Sequence, residues 1–256
     1  MPYSWVAPVA TRILSIGFGD ADTLICTRVA LTEVPMRISV PALLTLNGGY
    51  TDTAGFLVLQ GLFTAHVTGN FSTLGASLVH GTSGAAAKIL ALPVFCVVIF
   101  LVRYFSNSVA FKGGSAINTL VAVKASLFTL AAALAVIYGP FADGDALTAI
   151  VTGMALVAGM AIQNAAHRIF FEKSPPGTVM TGTTSQLMMD LSDLAQADVP
   201  AELRALARIR CAALLKTVGI FVFGCAVAAL MYARFDRLAL LVPPLISITA
   251  FRPRFR

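Results

Sequence analysis

The chain has 256 residues, of which 57% are hydrophobic and only 12% charged, with a mean hydropathy of +0.84. Soluble globular chains carry about one quarter charged residues, so this composition excludes a water-covered globule and makes a bilayer the solvent. The net charge of +6 does not point to nucleic acid, because the Lys and Arg residues gather only at the edges of apolar segments, where they act as topology signals.

In chain order, the first element is an N-terminal extension over residues 1–37. It contains Pro8, Arg12, Asp20, Asp22, Arg28, Glu33 and Pro35, and no uninterrupted run long enough to span. The order of a signal peptide, a basic start, an apolar centre and a small-residue cleavage site, is absent from it. Met36 followed by Arg37 and an apolar span is the more natural beginning. The rest, 38–252, reads as one membrane domain.

A crossing takes about 20 apolar residues. Segments 40–63, 88–111, 117–138, 146–166 and 211–233 meet that length, and the shorter run 238–250, with Pro243-Pro244, is read as a sixth crossing. Lys88 near a segment end, and Lys124 and Lys216 inside theirs, are expected to snorkel. Two stretches, 66–80 and 179–194, are less apolar and rich in Gly, Ser and Thr. They read as short re-entrant or broken helices.

Both stretches begin alike, Val67-Thr68-Gly69-Asn70 and Met180-Thr181-Gly182-Thr183, and each follows a span with a polar residue: Asp52 in the first, Asn164 in the second. This points to an internal repeat with halves of about 38–140 and 146–252. A one-residue shift pairs Asp52 with Gln163 instead. The connection 139–145 has Asp143 and Asp145 and no base, so it belongs outside, and the loops around Arg103, Lys112, Arg168 and Lys173 fall inside. If the Thr-Gly stretches cross fully, the basic tail ends outside. If they dip in and return, both termini lie inside, and three crossings per half make the halves inverted.

The run Asn47-Gly48-Gly49-Tyr50-Thr51-Asp52, Gly55-Phe56, Gly61-Leu62-Phe63 and Val67-Thr68-Gly69-Asn70 resembles the YoaK family of bacterial inner-membrane proteins, a domain of unknown function. The likeness covers about residues 38–250, and Thr181-Gly182 fits it too. What the resemblance implies is a multi-pass protein of the bacterial inner membrane, with no substrate or activity to carry over.

Asp52 is the first candidate functional residue, because an ionised carboxylate within a bilayer costs several kcal/mol unless it finds a partner or water. A tie between two helices is the alternative reading. Gly48, Asp52, Gly55 and Leu59 share one helical face, and Gly159, Gln163 and Ala166 repeat that small-residue stripe, open either to a substrate or to another helix. Helix starts at Thr68-Gly69-Asn70 and Thr181-Gly182-Thr183 would present backbone N–H groups and positive dipole ends near the midplane. The same residues also fit plain helix caps.

The candidate substrate site is therefore Gly48, Asp52, Thr68, Gly69, Asn70, Gln163, Asn164, Thr181, Gly182 and Thr183. Its expected ligand is a small polar or anionic solute, moved with a cation or proton through Asp52. Cys26, Cys96, Cys211 and Cys225 have no ligand spacing and read as buried free thiols. His66, His80 and His167 share no spacing and have no carboxylate at i+3 or i+4, so no metal or cofactor is expected. Sequence motifs of soluble catalysis are absent. The expectation is an all-α integral membrane protein acting as a small-solute transporter or channel. An intramembrane enzyme is the first alternative and needs a second ionisable group near Asp52, with His66 or His167 as the candidates. A structural or partner-binding protein, its Asp52 and Thr-Gly faces packed dry, is the second. The bilayer is the expected partner, and the oligomeric state is open.

Overall fold

The computed structural model describes residues 39–106, 114–172, 174–196 and 198–250, and the 1–37 extension lies outside them, as do Cys26, Lys112 and Lys173. The described residues form an all-helical membrane protein: α1 Val40–Val58, α2 Gly69–His80, α3 Ala85–Ser106, α4 Gly114–Tyr138, α5 Leu147–Phe170, α6 Met180–Ala195, α7 Ala201–Phe235, a 3-10 helix Asp236–Leu241 and α8 Val242–Thr249.

By length and composition four helical stretches are fit to cross a membrane, Ala85–Ser106, Ala116–Tyr138, Leu147–Phe170 and the continuous Ala201–Thr249, rather than the six expected. The two shortfalls have different causes. α1 is 19 residues long but carries Asn47, Gly48, Gly49, Thr51 and Asp52, all buried, so it lies inside the bundle and needs no lipid-facing stripe. The 238–250 run breaks into a 3-10 turn and an eight-residue helix, with Pro243 and Pro244 in its first turn. Conversely, α3 and α7 display Phe100, Leu101, Val222, Phe223 and Leu230, as helices facing hydrocarbon do.

α1 packs along α7, and α3 along α5; α2 lies on α3, and α6 on α7; α4 packs on α5, and α8 on α1. The α1–α7 crossing is close because glycine meets backbone on both sides. A Cβ on Gly49 would strike the Phe221 carbonyl, and one on Gly224 would lie 2.5 Å from the Leu46 carbonyl oxygen. The Cys225 thiol adds a contact of 3.4 Å to the Gly49 carbonyl.

The chain turns back after α1. Gln60 and Gly61 take positive φ of 53° and 82°, reversing it. Gln60 donates to the Phe141 carbonyl at 2.9 Å, Ser83 accepts the Gly144 amide at 2.8 Å, and Asp145 accepts the amides of Gly84 and Ala86 at 2.9 and 2.8 Å. The end of α1, the end of α2 and the 139–145 connection thus share one end of the bundle. Partial burial acts to raise the Asp145 carboxyl, but the amides of Ala86, Gly84 and Ala85 and the Lys88 ammonium outweigh it and hold the group below its ordinary value.

Each short helix is fastened to the helix behind it. Lys88 does not snorkel; it is buried and donates to Ser77 at 2.6 Å. Arg210 forks onto buried Asp190 at 2.7 and 3.1 Å. Ser77 and Asp190 stand at matching places, each nine residues after its Thr, Thr68 or Thr181. Lys124 is also buried, at 2% exposure, and donates to Gln163 Oε1 at 3.0 Å across α4 and α5, because its place on α4 faces α5 instead of lipid. Cys96 is exposed, Cys225 half-buried and Cys211 buried, so only Cys211 of the described three matches the expected buried thiol.

Candidate functional site

The site is built on the segment 59–68, which folds back beside α1. Beyond Leu62 such a segment has no helical partners for its amides, and buried amides need another acceptor. Asp52, 4% exposed, provides it. Its Oδ1 accepts the amides of Ala65 at 2.6 Å, Thr64 at 2.7 Å and His66 at 3.4 Å, with the Thr64 hydroxyl at 3.3 Å. Its Oδ2 lies 2.6 Å from His66 Nδ1. The Gly48–Asp52–Gly55 face is covered by this segment: a Cβ on Gly55 would lie 2.7 Å from Thr64 Cγ2. Leu156 of α5 also stands beside Gly55, 3.7 Å from that Cβ.

Asn70 closes the same turn. It accepts the Phe63 amide and donates to the Phe63 carbonyl, each at 2.8 Å, and is fully buried. A Cβ on Gly69 would come within 3.1 Å of the Phe63 ring. Thr68 is the N-cap of α2 but makes no side-chain cap bond, and it stays exposed.

The turn before α6 is held by other contacts. Asn164 on α5 donates to the Thr178 hydroxyl at 2.8 Å and accepts from Arg168 Nε at 3.3 Å. Gln163 donates to the Leu44 carbonyl at 2.8 Å, tying α5 to α1. A Cβ on Gly48 would lie 3.4 Å from Gln163 Nε2, so those two expected site residues adjoin each other. α6 starts at Met180, and Thr183, one turn on, is buried with its hydroxyl on the Val179 carbonyl at 2.9 Å. Gly182 is not a close approach: a Cβ there would meet only Val179, at 3.6 Å.

Between these two turns lies a cavity of about 530 Å³, lined by His66, Thr68, Asn164, Arg168, Thr178 and Thr181 and walled on α3 by Phe95 and Ile99. Of the ten expected site residues it gathers Thr68, Asn164 and Thr181. Asp52 stands one residue back, behind His66. Gly48, Gly69, Asn70, Gln163, Gly182 and Thr183 do not line it. A water-sized void of about 10 Å³ adjoins it, sharing Asn164, Arg168 and Thr178, and is also lined by Gln163 and His167. The Nε2 atom of His167 is buried there without a hydrogen-bond partner among the described residues.

His66, Arg168 and Thr178 are the polar lining residues absent from the site expected from the sequence. His66 stands fourteen residues from Asp52 and Thr178 fourteen from Asn164, across turns that no helical periodicity describes. The recurrence of Thr soon before each Thr-Gly start was the available signal. No group of three or more metal-ligating side chains occurs among the described residues.

Residues 40–251 match the family described as protein of unknown function, DUF1275. The chain belongs to that family. It is 26% identical over 164 residues to the UPF0700 transmembrane protein YoaK of Bacillus subtilis (strain 168), covering 63% of this chain and 70% of that protein. No solved structure matches. The DUF1275 match takes in α1 through α8, and with them every residue of the cavity.

Proposed function

We propose that this DUF1275 protein is a small-solute transporter or channel of the bacterial inner membrane, with its site in the cavity between the two re-entrant turns. The observation that carries the reading is the cavity itself. Thr68 and Thr181, far apart in sequence, border one open cavity, beside the Arg168 cation and the His66 imidazole. Positive ends of two short helices and a guanidinium favour an anionic or strongly polar solute.

The packing supports two inverted halves. Under the exchange of α1 with α5, α2 with α6, α3 with α7 and α4 with α8, the pair α1–α7 becomes α5–α3, α2–α3 becomes α6–α7, and α4–α5 becomes α8–α1. Each of these pairs is present. Asp52 holding Thr64 becomes Asn164 holding Thr178, which favours the Asp52–Asn164 alignment over the Gln163 shift. α1 and the short end of the chain then act as crossings despite their composition.

In a cysteine-free full chain, single cysteines at Ser83 and Asp143 are expected to label from one side of the membrane, and a cysteine at Glu202 from the other. Ser83 and Glu202 stand at the matching starts of α3 and α7. Labelling of both from the same side would make the halves parallel.

Transport itself is tested by flux. Proteoliposomes of the full chain, screened against small inorganic and organic anions and neutral polar solutes, are expected to take up at least one above empty vesicles. Arg168→Gln, Asn164→Leu and Thr181→Val should each lower that uptake, the loss of a hydrogen bond to charge at Arg168 by about tenfold or more. Absence of any flux, or flux indifferent to all three substitutions, refutes the reading.

The enzymatic alternative gains its second ionisable group, because His66 adjoins Asp52. Among the described residues no hydroxyl or thiol is hydrogen-bonded to the second nitrogen of His66, and transport is the reading we propose.

A further inference from the structure

The two turns are held by different chemistry. Asn164 donates to the Thr178 hydroxyl at 2.8 Å, whereas Asp52 accepts backbone amides on Oδ1 and forms an ionisable pair with His66 at 2.6 Å on Oδ2. The amides need only Oδ1, so the pairing of Oδ2 with an imidazole is additional to the clamp. We propose that His66 is the proton-exchanging group of the cavity: Asp52 holds its Nδ1, and its Nε2 takes a proton from water, which sets the positive charge offered to an anionic solute.

The purpose of this device rests on the transport reading above, but its chemistry does not. Asp52 Oδ1 is occupied by the backbone amides, leaving Oδ2 for His66. The ring is steadied edge-on by Phe221 at 5.6 Å and Phe63 at 6.4 Å. Its side chain is 34% exposed, it lines the cavity, and Nε2 has no partner among the described residues. A carboxylate on Nδ1 fixes the tautomer and favours the imidazolium, in the way ionisable pairs tune proton-exchanging histidines elsewhere.

The other groups facing His66 are few. α5 presents Arg168, which opposes protonation and is itself hydrogen-bonded to Asn164. α7 presents Phe221, with the Cys225 thiol close to Asp52. α3 presents Phe95 and Ile99, and the start of α6 presents Val179, Met180 and Thr181, none of them charged. Beyond Arg168 lie Arg103 and Glu172, lining a neighbouring cavity.

Diethyl pyrocarbonate, which acylates an unprotonated imidazole nitrogen, is the probe. The full chain in lipid nanodiscs is treated across pH 4.5 to 8.5, roughly the range in which histidine titrates, and His66 and exposed His80 are followed by peptide mass spectrometry. His66 is expected to react, its rate falling about tenfold per pH unit below its midpoint. Asp52→Asn removes the charge yet keeps an oxygen for the amides, and should move the midpoint down, so that the rate below it rises about tenfold or more. If that variant does not fold, Arg168→Gln should move the midpoint the opposite way. A His66 that never reacts while His80 does, or one whose profile tracks that of His80 in every variant, overturns the proposal. A midpoint that answers to Asp52 in a protein showing no solute flux upholds the proton site and refutes only transport.

Discussion

Gly49→Val is expected to leave no folded protein in mild detergent, whereas Gly75→Ala should match or slightly exceed the parent in thermal stability. At Gly49 the added carbons meet the Phe221 carbonyl, which belongs to the backbone of a neighbouring helix and cannot rotate away. Overpacking against mobile side chains costs about 1–3 kcal/mol, and backbone offers less relief than a side chain. Separating α1 from α7 would also lose the reciprocal contact of Gly224 with Leu46 and strip the buried polar face of α1 of its cover. With total stabilities of about 5–15 kcal/mol, a loss above roughly 3 kcal/mol reaches the limit for recovery of folded material. At Gly75 nothing lies within 4 Å, and alanine is the better helix former by about 1 kcal/mol. Size-exclusion profiles and melting curves of the two variants decide the matter. A Gly49→Val protein as monodisperse and stable as the parent would show that α1 and α7 do not cross at these glycines.

That the tight crossing runs through Gly49, beside the Gly48 face picked from the sequence, shows how far helical periodicity reaches. It identified one small-residue face and could not say that the neighbouring side would take another backbone. The sequence carried the membrane class, the polar short helices and the matched Thr-Gly starts, because these depend on composition and local order. The partners of Asp52 were out of reach for a physical reason. They are consecutive amides and a ring on a reversed segment, and only the positive φ at Gln60 and Gly61 brings them beside α1. The buried Lys88 and Lys124 were misread for a related one. A lysine in an apolar run reaches water only if its face points outward, and the direction of that face is a property of the packing.

On the two-halves reading proposed above, the differences between the halves carry the information. Both turns are held by a side chain on the preceding long helix, both short helices are fastened to the following one, and both Thr residues before Gly reach the cavity. Against that frame the charged groups are unequally shared: the Asp52–His66 pair lies in the first half and Arg168 in the second. The division brings an imidazole from the 59–68 turn and a guanidinium from α5 to one cavity.

Asp52→Leu and Asp52→Asn should separate sharply, and their difference measures what the carboxylate does. Leucine fits the apolar volume but leaves the amides of Thr64 and Ala65, and His66 Nδ1, without an acceptor. At about 1–3 kcal/mol for each of these three unsatisfied groups, the expected loss is roughly 3–9 kcal/mol, enough to melt the 59–68 turn and with it the cavity wall. Asparagine keeps Oδ1 for the two short amide bonds at 2.7 and 2.6 Å and surrenders only the charge. Its cost should be about 1–2 kcal/mol, the difference between charged and neutral hydrogen bonds. Folded Asp52→Asn protein should therefore be recoverable, with any pH-dependent flux impaired more than its melting temperature. Stability and flux must be read on the same preparation. If leucine is tolerated as well as asparagine, the amides of the turn have other partners and Asp52 is not its clamp. If Asp52→Asn loses flux only in proportion to its loss of folded protein, the carboxylate is a clamp and nothing more.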